Sequence, residues 1–379
     1  MKIRPATTLA ALAVAAVGWV APGSAGELRV FFGTYTNALS QGIYASRLEE
    51  TTGKLSAPEL AVATPSPCFL AISPNQKFLY AANSIGSFEG QRGGAVSAFA
   101  INRNSLRLTL LNQKSSGGVG PCHVGVDALG KVLLVANYGA GSVKSLALGP
   151  DGFLGADGTI IQHHGAGVNR SRQTGPHAHF ITADPSNHFA LVCDLGLDKV
   201  MIDEIKPATG TLVEHGLAAV PPGSGARHLA FSRDGRFAYV INEMACTVST
   251  FTWDAEAGKL EPVETVSALP PGVAAQSDFT AAEILTSGHY VYATVRGPDC
   301  VNVLAGDPRT GRLSFLQSVS SGGKVPRGLG IDPAGRWLLV GNQGTDKVVE
   351  FAMDPATGKL SATGEELRIG SPVDVKFVR

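Results

Sequence analysis

Short apolar runs recur along the chain at intervals of about 50 residues, a period that belongs to repeat architectures. They read YAANS, LVANY, LVCDL, YVINE, YATVR and LVGNQ, and end at Ser84, Tyr138, Leu195, Glu243, Arg296 and Gln343. A turn precedes each: SPNQK at Ser73, DALGK at Asp127, DPSNH at Asp184, SRDGR at Ser232, TSGH at Thr286 and DPAGR at Asp332. Beyond the runs come further turns, including TTGKL at Thr51, ATGTL at Ala208, EAGKL at Glu256, RTGRL at Arg309 and ATGKL at Ala356. Asx, Pro and Gly at these places are turn chemistry, and the stretches between them are of strand length. Each unit therefore predicts four antiparallel strands, one blade of a propeller.

Counting the units predicts seven blades. First strands begin near Pro67, Pro121, Ala178, Ala226, Ala281, Pro326 and Pro372, and the seventh unit stops after one strand. Its missing three stand at the other end of the chain, at Leu28, Gly42 and Pro58. The two termini then share one blade, which closes the ring and leaves no open sheet edge. The expectation is an all-β, single seven-bladed β-propeller over 26–379, with no second domain. No amphipathic stretch of helical length argues for α/β.

In a blade the start of the first strand and the end of the second lie on one face, beside the central channel. The first position holds Cys68, Cys122, His179, Arg227, Ala282 and Arg327; the second holds Ser84, Tyr138, Leu195, Glu243, Arg296 and Gln343. His179, Arg227, His228, Glu243, Glu283, Arg296 and Arg327 thus crowd one mouth of the channel, where partly desolvated charges must pair or act. The structural reading is ion pairing of Arg227 with Glu243 and of Arg296 with Glu283. His177 and His179 form an HxH that a strand would turn to one side, but a metal would need more ligands than Asp194, Glu243 or Glu283 readily offer; no metal or other cofactor is expected. His163 and His164, in the Gly-rich stretch from Gly158 to Gly175, read as solvated loop residues.

Composition narrows the partners. The 31 Lys+Arg balance 31 Asp+Glu and no basic run is interleaved with aromatics, which excludes the electrostatic footprint of a nucleic-acid binder. Lys2 and Arg4, the apolar stretch from Leu9 to Val20 and the small residues ending at Ala25 read as a secretory signal cleaved after Ala25. That stretch is too short to span a bilayer, so no stable membrane insertion is expected after cleavage. The product would be a periplasmic or secreted monomer. Five scattered cysteines without any CxxC read as small core residues. There is no GxSxG, no P-loop and no GxGxxG opening a helix.

The segments SRQTGPHAHF (Ser171 to Phe180), ARHLAFSRDGRFAYVINE (Ala226 to Glu243), AAEI with VYATVRG (Ala281 to Gly297) and PRGLGIDPAGRWLLVGNQ (Pro326 to Gln343), with the opening FFGTYT and GIYASRLEETTGKL, resemble the propeller lactonase family. That family holds the propeller-type 6-phosphogluconolactonases and the 3-carboxymuconate cyclases, and the resemblance covers the whole mature chain. It implies catalytic roles for His179, Arg227, Glu243 and Arg296. Arg172, His177, His228, Glu283, Arg327 and Gln343 then become substrate-binding candidates. Two departures stand out: Val295 replaces the family's Asn before RG, and EMACTV replaces its ELxxTV pattern.

Lactone opening develops negative charge on the carbonyl oxygen, which suits the directed donors of a guanidinium. A glutamate between two arginines keeps a low pKa, leaving His179 as the better base. The expected partner is a small lactone or carboxylate, and Arg172 would favour a phosphate. Two alternatives remain open at this point, lactonisation of a muconate in the reverse sense and a non-catalytic binding propeller. Export argues for a non-phosphorylated aldonolactone or another exported lactone.

Overall fold

A buried carboxylate or hydroxyl caps each turn between the first and second strands of most blades. Asp184 accepts the backbone N–H groups of His188 and Phe189 at 2.9 and 2.8 Å, and Asp127 those of Lys131 and Val132 at 2.6 and 2.7 Å. Such Asx bonding satisfies donors that a tight turn would otherwise bury unpaired. In the computed structural model, which describes residues 26–379, this unit repeats as seven four-stranded antiparallel sheets. The segment expected to be a signal, and its expected cleavage after Ala25, lie outside the described residues. Apart from one 3-10 turn, Gln343–Thr345, no helix occurs among the described residues.

The innermost strands are Pro67–Ile72, Pro121–Val126, Ala178–Ala183, Ala226–Phe231, Thr280–Ser287, Pro326–Ile331 and Pro372–Val378, in blades 1 to 7. Blade 7 is the shared one: Pro372–Val378 pairs with Glu27–Thr34, followed outward by Gly42–Glu49 and Glu59–Ala63. Apolar side chains of adjacent sheets interdigitate between the blades. Phe180, Leu191 and Ile202 of blade 3, for example, meet Leu229, Val240, Phe251 and Trp253 of blade 4. The outermost strands are the ones that face water, as in Leu313–Ser320, where exposed residues alternate with half-buried ones.

One irregularity positions everything that follows. Each innermost strand carries a bulge near its start, after the first residue in six blades and after the second in blade 5: Pro67 faces Asn83 but Phe69 faces Ala82, and Ala226 faces Asn242 but His228 faces Ile241. The same slip occurs at Pro121/His123, Ala178/Phe180, Ala281/Ile284, Pro326/Gly328 and, in the shared blade, opposite Gly33/Thr34. A bulge re-aims side chains. Here it lets two consecutive residues of a strand, such as Arg227 and His228, serve the channel.

Candidate active site

The bulged residues of the seven blades are Cys68, Cys122, His179, Arg227, Ala282, Arg327 and Val373. The residues that end the second strands stand beside them. Three of the first set, Cys122, His179 and Arg327, and five of the second, Tyr35, Ser84, Tyr138, Glu243 and Arg296, wall a cavity of about 430 Å³ at one end of the channel, with Gly120, Gly139, Arg172 and Thr280. Five of the ten residues singled out from the sequence line it. Arg227 does not: its side chain is only 2% exposed and is spent on Glu243 and on the carbonyl of Ala282. His228 and Glu283 lie beneath the cavity, bonded to each other. Gln343 sits in the 3-10 turn, outside the lining, its N–H donating to Val325 O at 3.0 Å.

Glu243 is the hub of the site. Its Oε1 accepts from Arg172 at 2.6 Å and its Oε2 from Arg227 at 3.1 Å, while Arg296 forms an ion pair with Oε2 at 3.0 Å. Burial alone would raise its pKa, but Arg296 and Arg227 outweigh burial and hold the carboxyl well below the usual range. Glu243 is therefore a permanent anion whose two oxygens are already occupied. The predicted Arg296–Glu283 pair does not form; Arg296 donates instead to Ala281 O at 2.9 Å and is ion-paired with Glu243.

Arg327 differs from the other three arginines. No carboxylate lies within salt-bridge distance of it among the described residues; it approaches the Tyr35 hydroxyl at 3.4 Å and stands 5.6 Å from that ring's centroid. Burial pushes the Tyr35 pKa up to about 12, so the hydroxyl stays protonated and can donate. Tyr35 escaped the sequence reading because it ends the second strand of the split blade. The signal was present in FFGTYT, where Thr34–Tyr35 occupies the place of Asn83–Ser84 and Asn137–Tyr138.

The two histidines of the HxH part company. His177 precedes the strand and stacks on Tyr138, with ring centroids 4.5 Å apart, whereas His179 meets the same ring edge-on at 5.4 Å. Tyr138 thus separates imidazoles that an unbulged strand would have placed side by side, and His177 is not part of the lining. Among the described residues no group of three or more His, Cys, Asp or Glu is arranged to hold a metal. His179 uses Nδ1 on His228 Nε2 at 3.2 Å, which leaves Nε2 for the cavity. Burial first, then Arg227 and His228, hold it well below the histidine range, so it is neutral at pH 7. Cys122 borders the cavity, but burial pushes its thiol up to about 12, which removes it as a nucleophile. The other four cysteines are buried and none is disulfide-bonded.

Another expectation needs correction. His164 is exposed, but His163 is 4% exposed and its Nδ1 meets Asp194 Oδ2 at 2.6 Å. Asp194 stands where blades 1, 2, 4 and 6 carry Asn83, Asn137, Asn242 and Asn342. A buried carboxylate there needs a donor that an amide does not. Its other oxygen accepts the N–H groups of His177, Gly196 and Leu197 at 2.8, 3.0 and 3.1 Å. The loop this anchors is further pinned by Gln173, which donates to Leu195 O and Asp198, and so delivers Arg172 to Glu243.

Residues 29–377 match the family model described as Lactonase, 7-bladed beta-propeller. A protein of Bacillus subtilis strain 168 named 6-phosphogluconolactonase is 34% identical over 348 residues, covering 92% of this chain and 97% of that protein. One of the same name from Formosa agariphila is 30% identical, covering 89% and 96%. The solved structure described as Pseudomonas aeruginosa periplasmic gluconolactonase superposes with a TM-score of 0.87 at 31% identity, covering 93% of this chain and 99% of that one.

Proposed function

Because the chain belongs to the seven-bladed β-propeller lactonase family, we propose that it hydrolyses an aldonolactone in the mouth cavity, with His179 drawing the proton from the attacking water. One observation carries the reading: the guanidinium of Arg327, which no carboxylate pairs among the described residues, shares a cavity with a neutral imidazole. A cation without a counter-ion in a partly desolvated site favours whatever places negative charge beside it. In lactone opening that is the carbonyl oxygen as water adds. Arg327 and the Tyr35 hydroxyl would receive it. Arg296 and Arg172, both held by Glu243, would orient the ring hydroxyls or carry a phosphate at the rim.

Water attack forms a C–O bond to the carbonyl carbon as His179 Nε2 takes the water proton. Collapse then breaks the bond to the ring oxygen, which leaves with a proton returned from the same imidazole. The product is a hydroxy acid, which ionises at neutral pH. Glu243, with both oxygens committed, acts as the clamp on three arginines and not as the base. Export through the leader, with a relative described as periplasmic, favours a non-phosphorylated aldonolactone.

Acid release by the mature protein, followed by pH-stat on glucono-δ-lactone and its 6-phosphate, tests the proposal. Turnover of the unphosphorylated lactone is expected, and Arg327→Gln should lower kcat/KM by about 10²-fold, the scale for losing one oxyanion donor. Failure to open either lactone faster than buffer would overturn it.

A further inference from the structure

Directly below the cavity the channel is blocked by rings. Phe69 and His123 lie with centroids 3.9 Å apart, His123 and Phe180 4.2 Å, Phe180 and His228 5.0 Å, and His228 and Phe69 5.8 Å. The plug separates the mouth from the rest of the channel. One file of polar atoms passes into it. His179 Nδ1 meets His228 Nε2 at 3.2 Å, and His228 Nδ1 meets Glu283 Oε1 at 2.7 Å. All three side chains are 5% exposed or less.

We infer that His228 and Glu283 are a buried proton relay behind His179, carrying the proton taken from water to the Glu283 carboxylate and back. The inference rests on the lactonase reading of the mouth. His228 and Glu283 touch no substrate in this arrangement; they are positioning residues that act through His179, and not the substrate contacts expected from the sequence.

The chemistry follows from the two-nitrogen geometry of imidazole. In the resting state the Glu283 carboxylate accepts from His228 Nδ1–H, His228 Nε2 accepts from His179 Nδ1–H, and His179 Nε2 is bare toward the cavity. When Nε2 binds the water proton, the Nδ1 proton of His179 passes to His228 Nε2, and the Nδ1 proton of His228 passes to Glu283. Each imidazole gains one proton and loses one. Both tautomers invert and no imidazolium persists. The reverse motion returns the proton to the leaving ring oxygen.

The surroundings explain why the proton should travel. An imidazolium at His179 would sit between Arg227 and Arg327, and burial and those charges hold both histidines neutral. Glu283 faces Arg227 and His228 from blade 4, Arg327 from blade 6, and Asp374 and Lys376 from blade 7. Burial outweighs the neighbouring cations and raises its pKa to about 7. The carboxylate two rings away is thus a better resting place for the proton than either ring. The site needs cations for the oxyanion and a proton acceptor near neutrality, and the relay places the two demands at opposite ends of a hydrogen-bonded chain.

Nitrogen-15 NMR of histidine-labelled protein, with resonances assigned through His228→Gln, and the pH dependence of kcat on glucono-δ-lactone test this. Between about pH 6 and 8 the ring nitrogens of His179 and His228 should exchange protonated and unprotonated shifts together, without an imidazolium pattern. The acid limb of kcat should fall at the Glu283 transition near 7. Glu283→Gln keeps the side-chain shape; it should melt as a folded protein, lose the tautomer exchange and the acid limb, and lower kcat about 10²-fold with KM within twofold. An imidazolium on either ring in that range, or a Glu283→Gln enzyme with wild-type kcat and acid limb, would overturn the relay. Tautomer exchange without lactone opening would keep the relay and refute the lactonase reading, and the opposite result would do the reverse.

Discussion

Replacing Glu243 with Gln separates a clamp from a base. The substitution keeps the outline of the side chain but removes the anion between Arg172, Arg227 and Arg296, of which Arg227 and Arg296 are 2% and 14% exposed in their side chains. Breaking a buried pair by neutralising one partner costs about 3 to 5 kcal/mol, because the remaining cations stay desolvated. The amide oxygen can still accept one of the two hydrogen bonds, so about 3 kcal/mol is the working figure. An unfolding entropy of roughly 2.1 cal/mol/K per residue, over the ordered chain of residues 26–379, converts this to a Tm lower by about 4 °C at pH 7. The pH dependence supplies a second check. Glu243 is held below its unfolded value of 4.5, so its contribution is complete above that pH and is lost as pH falls below it. The gap between wild type and variant should therefore be constant from pH 6 to 8 and narrow below about 4.5. Scanning calorimetry at a series of pH values reads both, and pH-stat kinetics should show KM raised as Arg172 and Arg296 loosen, with His179 still turning substrate over. An unchanged Tm together with a kcat loss of about 10³-fold at constant KM would refute the clamp and make Glu243 the base.

Two further outcomes follow from the same structure. Removing residues 372–379 deletes the innermost strand of the shared blade, uncovers Val30 and Phe32, and breaks the 2.8 Å bond from Leu70 N–H to Asp374; the truncated protein should show no cooperative melt, and an intact transition would contradict closure by the termini. Asp194→Ala removes the acceptor of four hydrogen bonds and leaves His163 buried with neither ring nitrogen bonded among the described residues. It should cost about 3 kcal/mol or more and raise KM through the loop that carries Arg172, while a Tm within 1 °C of wild type would show the network to be dispensable.

The repeat of turn chemistry made the blades countable from the sequence, because Asp127, Asp184 and Asp332 stand at turns whose backbone donors need them. Blade 5 began one residue early, at Thr280, since its turn is shorter and its bulge unmarked by Pro. The mouth was legible as a set of residues but not as a set of roles. Arg227 and His228 are adjacent in sequence and equally polar; only the bulge decides that one reaches Glu243 and the other enters the plug. The HxH spacing misled for the same reason, since alternation fails where a strand slips. His163 looked solvated among glycines, and the clue to its burial was the Asp at position 194 in a column of asparagines. Tyr35 was hidden by the cut in its own blade.

The shared blade also fixes where the protein can be held. Its strands run antiparallel, with Arg29 opposite Val378 and Thr34 opposite Pro372, and Tyr35 lies at the cavity. Glu27 and Val378 therefore leave the ring on the side away from the mouth. An affinity tag, a surface linker or a fused reporter attached at either of these ends would point the cavity outward, toward the incoming lactone. Because the innermost strand of the shared blade is synthesised after the other six blades, a nascent chain carries Phe31 and Phe32 on an unpaired edge until that strand arrives. Attachment after Val378 delays nothing, whereas a bulky fusion ahead of Glu27 must wait, folded, beside a ring that is still open.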